Sequence, residues 1–155
     1  MIIEFEDEYA FLSNFYPSPF THDGITYHTN EHFFQAMKTL DIGERKAIAA
    51  ADTPGKAKRM GRSVELRPDW EKVKLYFMEL GLRLKFLQHP DLAQKLIETG
   101  DEELIEGNWW HDQTWGSCYC AKCSRIAGRN MLGMLLMELR KEWQYGRKTD
   151  EVARF

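Results

Sequence analysis

Three polar side chains with complementary chemistry recur at helical spacing near residue 30. Glu31, Gln35 and Lys38 are four and three residues apart, so they share one face of a helix. A lysine amine that aromatic neighbours such as Phe34 partly remove from water has a lowered pKa and becomes a nucleophile toward carbonyls and imines. A carboxylate beside it can carry protons to a leaving group. On spacing alone, a solvated polar helix face explains the same pattern.

A cluster of cations follows Pro54, where the sequence predicts the start of a helix. Helix N-termini and arginine forks both bind phosphate oxygens, so the cluster is a candidate phosphate site. A solvated basic face is the alternative interpretation. The cluster comprises Lys56, Lys58, Arg59, Arg62 and Arg67.

Acidic and aromatic side chains are mixed between residues 106 and 116. Glu106 and Asp112 can act as acid or base, and Trp115, which precedes Gly116, can stack on a planar base. A structural loop that its tryptophan anchors is the alternative.

Three cysteines, Cys118, Cys120 and Cys123, lie in one short segment. An odd, clustered set does not form a disulfide framework. A structural zinc site needs a fourth ligand, for which His111 is the nearest candidate. No second Cys-x-x-Cys or histidine pair accompanies them. The sequence therefore favours free thiols in a mobile loop, and we expect neither a metal nor a cofactor.

Length and composition indicate the class of protein. A chain of 155 residues can form one compact domain, so we expect a single domain over residues 1–155. The net charge of −3 argues against a protein that grips nucleic acid mainly through counterion release. No segment has the length of a membrane span, and the N-terminus lacks the features of a signal peptide. We therefore expect a cytoplasmic location.

Local signals predict a mainly α fold. Asp23-Gly24 between alternating apolar and polar residues predicts a β-hairpin. Thr29 or Asn30 can cap the first helix, whose core side would carry Phe33, Met37 and Leu40. Further helices are predicted over residues 44–51, 54–62, 68–88 and 90–100, and a last one after Asn130. In the helix over 68–88 the predicted core positions are Trp70, Val73, Phe77, Leu80, Leu84 and Leu87.

The remaining segments complete the predicted fold. Residues 1–6 can form a short strand, and residues 11–20 and 107–125 are expected to be ordered, aromatic-rich loops where function should be sought. We predict a single compact orthogonal helical domain with a small N-terminal β-hairpin element.

A series of motifs between residues 10 and 142 resembles the NADAR family of YbiA-like N-glycosidases. The motifs occur in order over nearly the whole chain, which makes the resemblance specific although each motif is short. They are Leu12-Ser13-Asn14-Phe15, Asp23-Gly24, Glu31-His32-Phe33-Phe34-Gln35-Ala36-x-Lys38, Arg59-Met60-Gly61-Arg62, Arg67-Pro68-x-Trp70, Lys85-Phe86, Trp115-Gly116, and Asn130-x-Leu132-Gly133 with Leu136-Met137-Glu138-Leu139-Arg140.

The resemblance implies hydrolysis of an N-glycosidic bond to ribose, without a cofactor. Two substrate classes are associated with the family: ribosylaminopyrimidine phosphates of riboflavin synthesis, and guanine bases that carry ADP-ribose. Glu31, Lys38 and Asp112 match the family's carboxylate, amine and second acid, and are the expected catalytic residues. This chain departs from the family at its three-cysteine segment, where other members commonly have a glycine-rich stretch.

The expected mechanism is either a Schiff base on Lys38 or attack by water that a carboxylate activates. Five cations exceed the need of one phosphate, so we favour ADP-ribosylated guanine, free or in nucleic acid, over the riboflavin intermediates. A nucleotide binder without turnover is the alternative of another class. The expected substrate-binding residues are Asn14, Phe15, Phe34, Arg59, Gly61, Trp70, Glu106, Trp115 and Gly116.

Overall fold

Helices dominate the computed structural model, which describes residues 1–153 and the side chains of residues 1–146. The predicted mainly α class is confirmed. The chain forms two compact units. The continuous unit is Asn14–Pro90, and the discontinuous unit combines Met1–Ser13 with the chain from Asp91 onward. The single-domain interpretation stays a prediction.

The continuous unit begins with the predicted hairpin. Strands β1 (Phe20–His22) and β2 (Ile25–Tyr27) pair antiparallel, with Phe20 opposite Tyr27. The two residues of the turn, Asp23 and Gly24, have φ of 50° and 75°. A two-residue turn with both central residues at positive φ matches the twist of the strands, which is why Asp-Gly is preferred there.

Helix α1 (Asn30–Ala36) follows directly and is buried along its whole length. The hydroxyl of Thr29 caps it by accepting from the backbone N–H of His32, at 3.2 Å. Phe33 packs edge-on against Tyr27, with ring centroids 5.3 Å apart. The alternative of a solvated polar face does not hold for α1, since Glu31 and Gln35 are buried. The predicted burial of Leu40 is wrong, because α1 ends before it and leaves it exposed.

Proline and capping signals locate the next helices correctly. Helix α2 (Ile42–Ala49) starts earlier than predicted because Asp41 accepts from the N–H of Glu44 as its N-cap, 2.8 Å away. Helix α3 (Pro54–Gly61) has the predicted Thr53 cap and a proline in its first turn. Helix α4 (Trp70–Gln88) is the longest helix of this unit.

The buried side of α4 differs from the predicted stripe. Trp70 is buried as predicted, but Leu87 is exposed, and the other predicted positions are half-buried. Gly81 allows close approach of α1, because a β-carbon there would collide with Oδ1 of Asn30. This contact turns a different face inward, which carries Met78, Gly81, Leu82, Lys85 and Phe86.

The discontinuous unit joins the two ends of the chain. Ile2 forms an isolated parallel bridge with Leu104, and a 3-10 helix spans Asp7–Leu12, so the predicted strand over residues 1–6 is wrong. Helix α5 (Pro90–Glu98) follows the proline signal. Short strands β3 (Gly107–Asn108) and β4 (Ser117–Cys118) pair in parallel, and α6 (Met131–Ala153) closes the described chain.

Leucines form the core of this unit. Leu96, Leu104, Leu132 and Leu136 are fully buried, and the last two belong to α6. Asn130 precedes α6, but its side chain bonds elsewhere: it donates to the carbonyl of Leu104 at 2.9 Å. Among the described helices, none is both long and apolar enough to cross a lipid bilayer.

Candidate active site

A buried carboxylate occupies the first turn of α1. Glu31 is only 7% exposed, and its Oε1 accepts a 2.8 Å hydrogen bond from Nε2 of Gln35. The backbone N–H of Glu31 donates to the carbonyl of Asn14, at 3.1 Å. The N-terminal turn of a helix favours negative charge. The Glu31 carboxylate is therefore ordered, and its hydrogen-bond partner is Gln35, the residue that helical spacing places beside it.

Lys38 lies just beyond α1, in a backbone position fixed from two sides. Its N–H donates to the carbonyl of Gln35 at 3.2 Å, and its own carbonyl accepts from the N–H of Arg67 at 2.8 Å. Burial lowers the pKa of the Lys38 ammonium. Glu31 opposes this shift, while the charges of Lys58 and Arg62 reinforce it. A larger fraction of this amine is therefore neutral and nucleophilic than of an ordinary lysine.

Two buried aromatic rings adjoin this amine. The centroids of Phe34 and Trp70 are 5.0 Å apart, and the Lys38 Nζ lies 6.0 Å from the Trp70 ring. Such apolar neighbours contribute to the burial of the amine, and desolvation by burial is the largest cause of its lowered pKa. Glu31, Phe34, Lys38 and Trp70 are thus brought together in the continuous unit, as predicted.

Two of the five cations in the predicted cluster have a carboxylate partner in the structure. Arg67 donates to both carboxylate oxygens of Asp69, at 2.7 and 3.3 Å. Lys56 lies 4.0 Å from a carboxylate oxygen of Asp52.

Among the described side chains, the other three cations have no carboxylate partner within salt-bridge distance. These three are Lys58, Arg59 and Arg62. Four of the five cations therefore remain available to an anionic ligand, because an exposed pair 4.0 Å apart holds Lys56 only weakly.

Gly61 has a packing role in this unit. A β-carbon at Gly61 would collide with Oε1 of Gln35, so only glycine lets α3 approach α1 this closely. Asn14 is also largely structural, since its Oδ1 accepts from Nδ2 of Asn30 at 2.9 Å while its carbonyl holds the backbone of Glu31. Phe15 is 44% exposed and can contact a ligand. That any of the three touches substrate stays a prediction.

The discontinuous unit assembles the second predicted group around one loop. Oδ1 of Asp112 accepts from the N–H groups of Thr114 and Trp115, at 3.0 and 2.9 Å. The side chain of the buried Asn108 brackets the Asp112 backbone, donating to its carbonyl at 2.8 Å and accepting from its N–H at 3.1 Å. One oxygen of Asp112 thus orders the loop. Its predicted role as a proton carrier stays a prediction.

Glu106 and Gly116 hold the base of the same loop. The carbonyl of Glu106 accepts from the N–H of Ser117 at 2.9 Å, and the N–H of Glu106 donates to Oδ1 of Asn130 at 3.0 Å. A β-carbon at Gly116 would collide with that Glu106 carbonyl. The glycine is therefore required by the parallel β3–β4 pairing, whatever else it contacts.

Sequence reasoning missed a second unusual amine. Lys85 is fully buried in α4, and burial lowers its pKa to about 7. Its Nζ lies 5.2 Å from the ring centroid of Phe86 and 5.8 Å from that of Tyr16. The available signal was its spacing: Lys85 lies seven and three residues after the buried Met78 and Leu82.

Comparison with known protein families decides the family. A model of the NADAR domain matches residues 3–144. The chain belongs to the NADAR domain family. The N-glycosidase YbiA of Escherichia coli (strain K12) is 43% identical to it over 138 residues, which cover 88% of this chain and 82% of that protein.

A solved structure of YbiA and one further relative extend the comparison. The NMR structure of the E. coli protein YbiA superposes with a TM-score of 0.80 and 40% identity, over 95% of this NADAR chain and 87% of that chain. The riboflavin biosynthesis protein VVA0006 of Vibrio vulnificus (strain YJ016) is 35% identical over 141 residues, which cover 90% of this chain and 37% of that protein. The predicted YbiA-like fold is confirmed.

Proposed function

We propose that this NADAR protein is an N-glycosidase that hydrolyses the bond between ribose and the exocyclic amine of a base, and that its substrate is guanine carrying ADP-ribose. One observation carries the proposal. Lys38 is a half-buried amine with a lowered pKa, beside a buried carboxylate in Glu31 and an aromatic ring in Trp70.

The enzyme class rests on the relatives. The chain covers four-fifths of a protein named N-glycosidase YbiA at 43% identity. It is an enzyme of the glycosidase class. The site agrees with this, because a protein that only binds nucleotides has no use for an amine of lowered pKa beside a carboxylate.

The chemistry can proceed through Lys38. A riboside on an exocyclic amine opens its sugar ring to an imine, and the neutral Lys38 amine adds to the C1′ carbon. The carbon–nitrogen bond to the base then breaks as the base amine leaves with the proton that the Lys38 nitrogen has lost, and the Glu31 carboxylate carries this proton from one nitrogen to the other. The sugar remains as a Schiff base on Lys38. Water adds to this Schiff base and releases the sugar and the free lysine. In the alternative route, a carboxylate activates water against an oxocarbenium-like sugar.

The cations near α3 are the groups that would bind the phosphates of the substrate. The charges of Lys58 and Arg62 lower the pKa of Lys38, and the same positive charge favours a phosphate on the sugar that Lys38 attacks. From Lys58 to Arg62 the helix rises about 6 Å, and Arg59 lies between them in sequence. A row of this length suits the two linked phosphates of ADP-ribose.

A ribosylaminopyrimidine phosphate is the second candidate. It is favoured by the name of the Vibrio vulnificus relative, a riboflavin biosynthesis protein. With Arg67 held by Asp69, the number of available cations exceeds the need of a single phosphate by less than the sequence predicts. The number of cations therefore does not decide between the two substrates. The choice depends on which base the site accepts and on whether it binds a second phosphate.

A direct comparison of the two substrates tests the proposal. Purified protein is offered ADP-ribosylated guanosine and a ribosylaminopyrimidine phosphate, and the released base is followed by mass spectrometry. We expect release of the guanine nucleoside. Release from the pyrimidine alone would replace our substrate with the second candidate. Release from neither would exclude both candidate substrates, and ADP-ribose binding in that case would favour the nucleotide-binding alternative for this site.

Trapping tests the covalent route separately. Borohydride added during turnover should reduce the Schiff base to a stable secondary amine, which peptide mass analysis would locate on Lys38. Lys38→Arg, which keeps the charge but not the nucleophile, should give no adduct. An active enzyme that yields no adduct would establish the direct attack of water instead.

A further inference from the structure

Four side chains that the proposed reaction does not use converge on one point of the discontinuous unit. They are His111, Cys118, Cys120 and Cys123, and their ligand atoms all lie within 4.8 Å of one another. The Nδ1 of His111 lies 3.8 Å from the sulfur of Cys118 and 3.4 Å from those of Cys120 and Cys123. All three cysteines are free of disulfides.

Hydrogen bonding does not account for this arrangement. One imidazole nitrogen carries either a single proton or a single lone pair, so Nδ1 can satisfy one of the three sulfurs and not all of them. A metal ion at the centre explains all three distances. In a tetrahedral zinc site, Zn–S bonds of about 2.3 Å and Zn–N bonds of about 2.0 Å place nitrogen and sulfur about 3.5 Å apart. The observed separations lie within a few tenths of an ångström of that value.

We propose that these four residues bind a structural zinc ion. Three thiolates and one imidazole form a closed tetrahedral set that leaves no position for water, which distinguishes structural zinc sites from catalytic ones. Binding displaces the three thiol protons and leaves a site with a net charge of −1. This proposal does not depend on which N-riboside the protein cleaves.

The surrounding backbone supports the four ligands. The N–H of Cys120 points at the sulfur of Cys118, 3.5 Å away, which is the donor contact that a thiolate ligand attracts. The N–H of Cys118 donates to Oε1 of Gln113 at 2.7 Å. His111 has a φ of 70°, a conformation that residues other than glycine rarely adopt. A bond from zinc to Nδ1 stabilises that conformation.

The zinc ion would fix the loop that carries Asp112. His111 immediately precedes Asp112, and Cys118 lies in β4, so the ion ties one side of the loop to the short sheet. Cys120 and Cys123 attach the following turn to the same point. The sequence favours free thiols because the spacing Cys-x-Cys-x-x-Cys with a preceding histidine matches no common zinc motif. Convergence of all four ligands is not expected of a mobile loop.

Metal content tests the site in the full chain. Protein purified under reducing conditions, without chelator, is incubated with zinc and desalted, and its metals are counted by elemental mass spectrometry. We expect one zinc ion per chain. Cys120→Ser, Cys123→Ser and His111→Ala should each lower that content at least tenfold, whereas Lys122→Ala, an exposed change in the same turn, should not. The buried Cys118 is left intact because its replacement can disturb folding.

A spectroscopic measurement separates this site from any other zinc-binding surface. Cobalt(II) added to the metal-free protein should give the intense visible bands of a tetrahedral thiolate site, and Cys120→Ser should change them while circular dichroism stays native. Iron in place of zinc, less than a tenth of an equivalent of zinc, or equal zinc in wild type and variants would each overturn the proposal.

Discussion

The side-chain carbonyl of Gln35 lies directly against the backbone of Gly61, at a place where a β-carbon would collide with it. Because Nε2 of the same side chain donates to Glu31, the space at Gly61 determines where that carboxylate points. Among the described groups, Oε1 of Gln35 is buried without a hydrogen-bond partner. The close crossing of α1 and α3 therefore holds Gln35 in a position that its own hydrogen bonding does not fully satisfy.

Gly61→Ala should disturb both stability and activity. The new methyl group must displace Gln35, and overpacking of this kind destabilises a protein by about 1–3 kcal/mol. We expect a lower urea midpoint, and a lower kcat because Glu31 loses its partner. Gly55→Ala in the same helix is the control, since its β-carbon would meet only ordinary contacts at 3.9 Å. Equal stability and activity in both variants would remove the link between Gly61 and Glu31.

Glu31→Gln should separate binding from turnover. The substitution keeps the shape of the side chain but removes proton transfer, which typically contributes about 10²- to 10⁴-fold to rate. We expect kcat to fall by that order while ADP-ribose binding, measured by calorimetry, persists. Glu65→Gln, at an exposed carboxylate of the same unit, should leave both quantities unchanged. A fully active Glu31→Gln enzyme would exclude this carboxylate as the proton carrier.

The pH dependence of kcat/KM should report the Lys38 amine. The neutral amine is the nucleophile, so kcat/KM should rise through the pKa of Lys38, at a midpoint below the ordinary 10.5. Lys58→Gln removes a charge that lowers this pKa and should therefore move the midpoint to higher pH. Lys56→Gln should leave the midpoint in place, because Lys56 does not contribute to the shift. If the midpoint is the same in Lys58→Gln as in the wild type, the rise of kcat/KM with pH reports a group other than Lys38.

Lys85 should make folding stability depend on pH. Its pKa is about 7 in the folded protein and about 10.5 in the unfolded chain, so between these values the unfolded chain binds more protons. The contribution of Lys85 to stability should therefore increase as pH rises from 7 toward 10, and stay flat below 7. Urea unfolding of Lys85→Met should lack this increase. Lys74→Met, at a partly exposed lysine of the same helix, should retain it.

Elements with a local cause were predictable from the sequence. Asp23 and Gly24 form the hairpin turn through their own backbone conformations. Thr29 and Thr53 cap the helices that follow them through hydrogen bonds to residues only three positions away in sequence. Burial was less predictable, because it depends on residues far away in sequence. Leu87 continues the apolar periodicity of α4 but is exposed, since the close approach at Gly81 turns another face inward.

The same distinction applies to the site. Glu31 and Gln35 are neighbours because helical spacing requires it, and sequence reasoning found them. The four proposed zinc ligands have irregular spacing, and the parallel pairing of two-residue strands brings His111 beside Cys118. Strands of two residues are too short to show the alternation of apolar and polar residues that predicts a strand from sequence. The amine of Lys85 was missed for a related reason, since a lysine is normally assigned to the surface.

The bridge between Ile2 and Leu104 bears on the order in which the protein can be made. A ribosome completes the whole of Asn14–Pro90 before it begins the second part of the discontinuous unit. Glu31 and Lys38 can thus reach their neighbours while the nascent chain is still short. Ile2, in contrast, must wait for translation to pass Leu104 before its bridge partner exists.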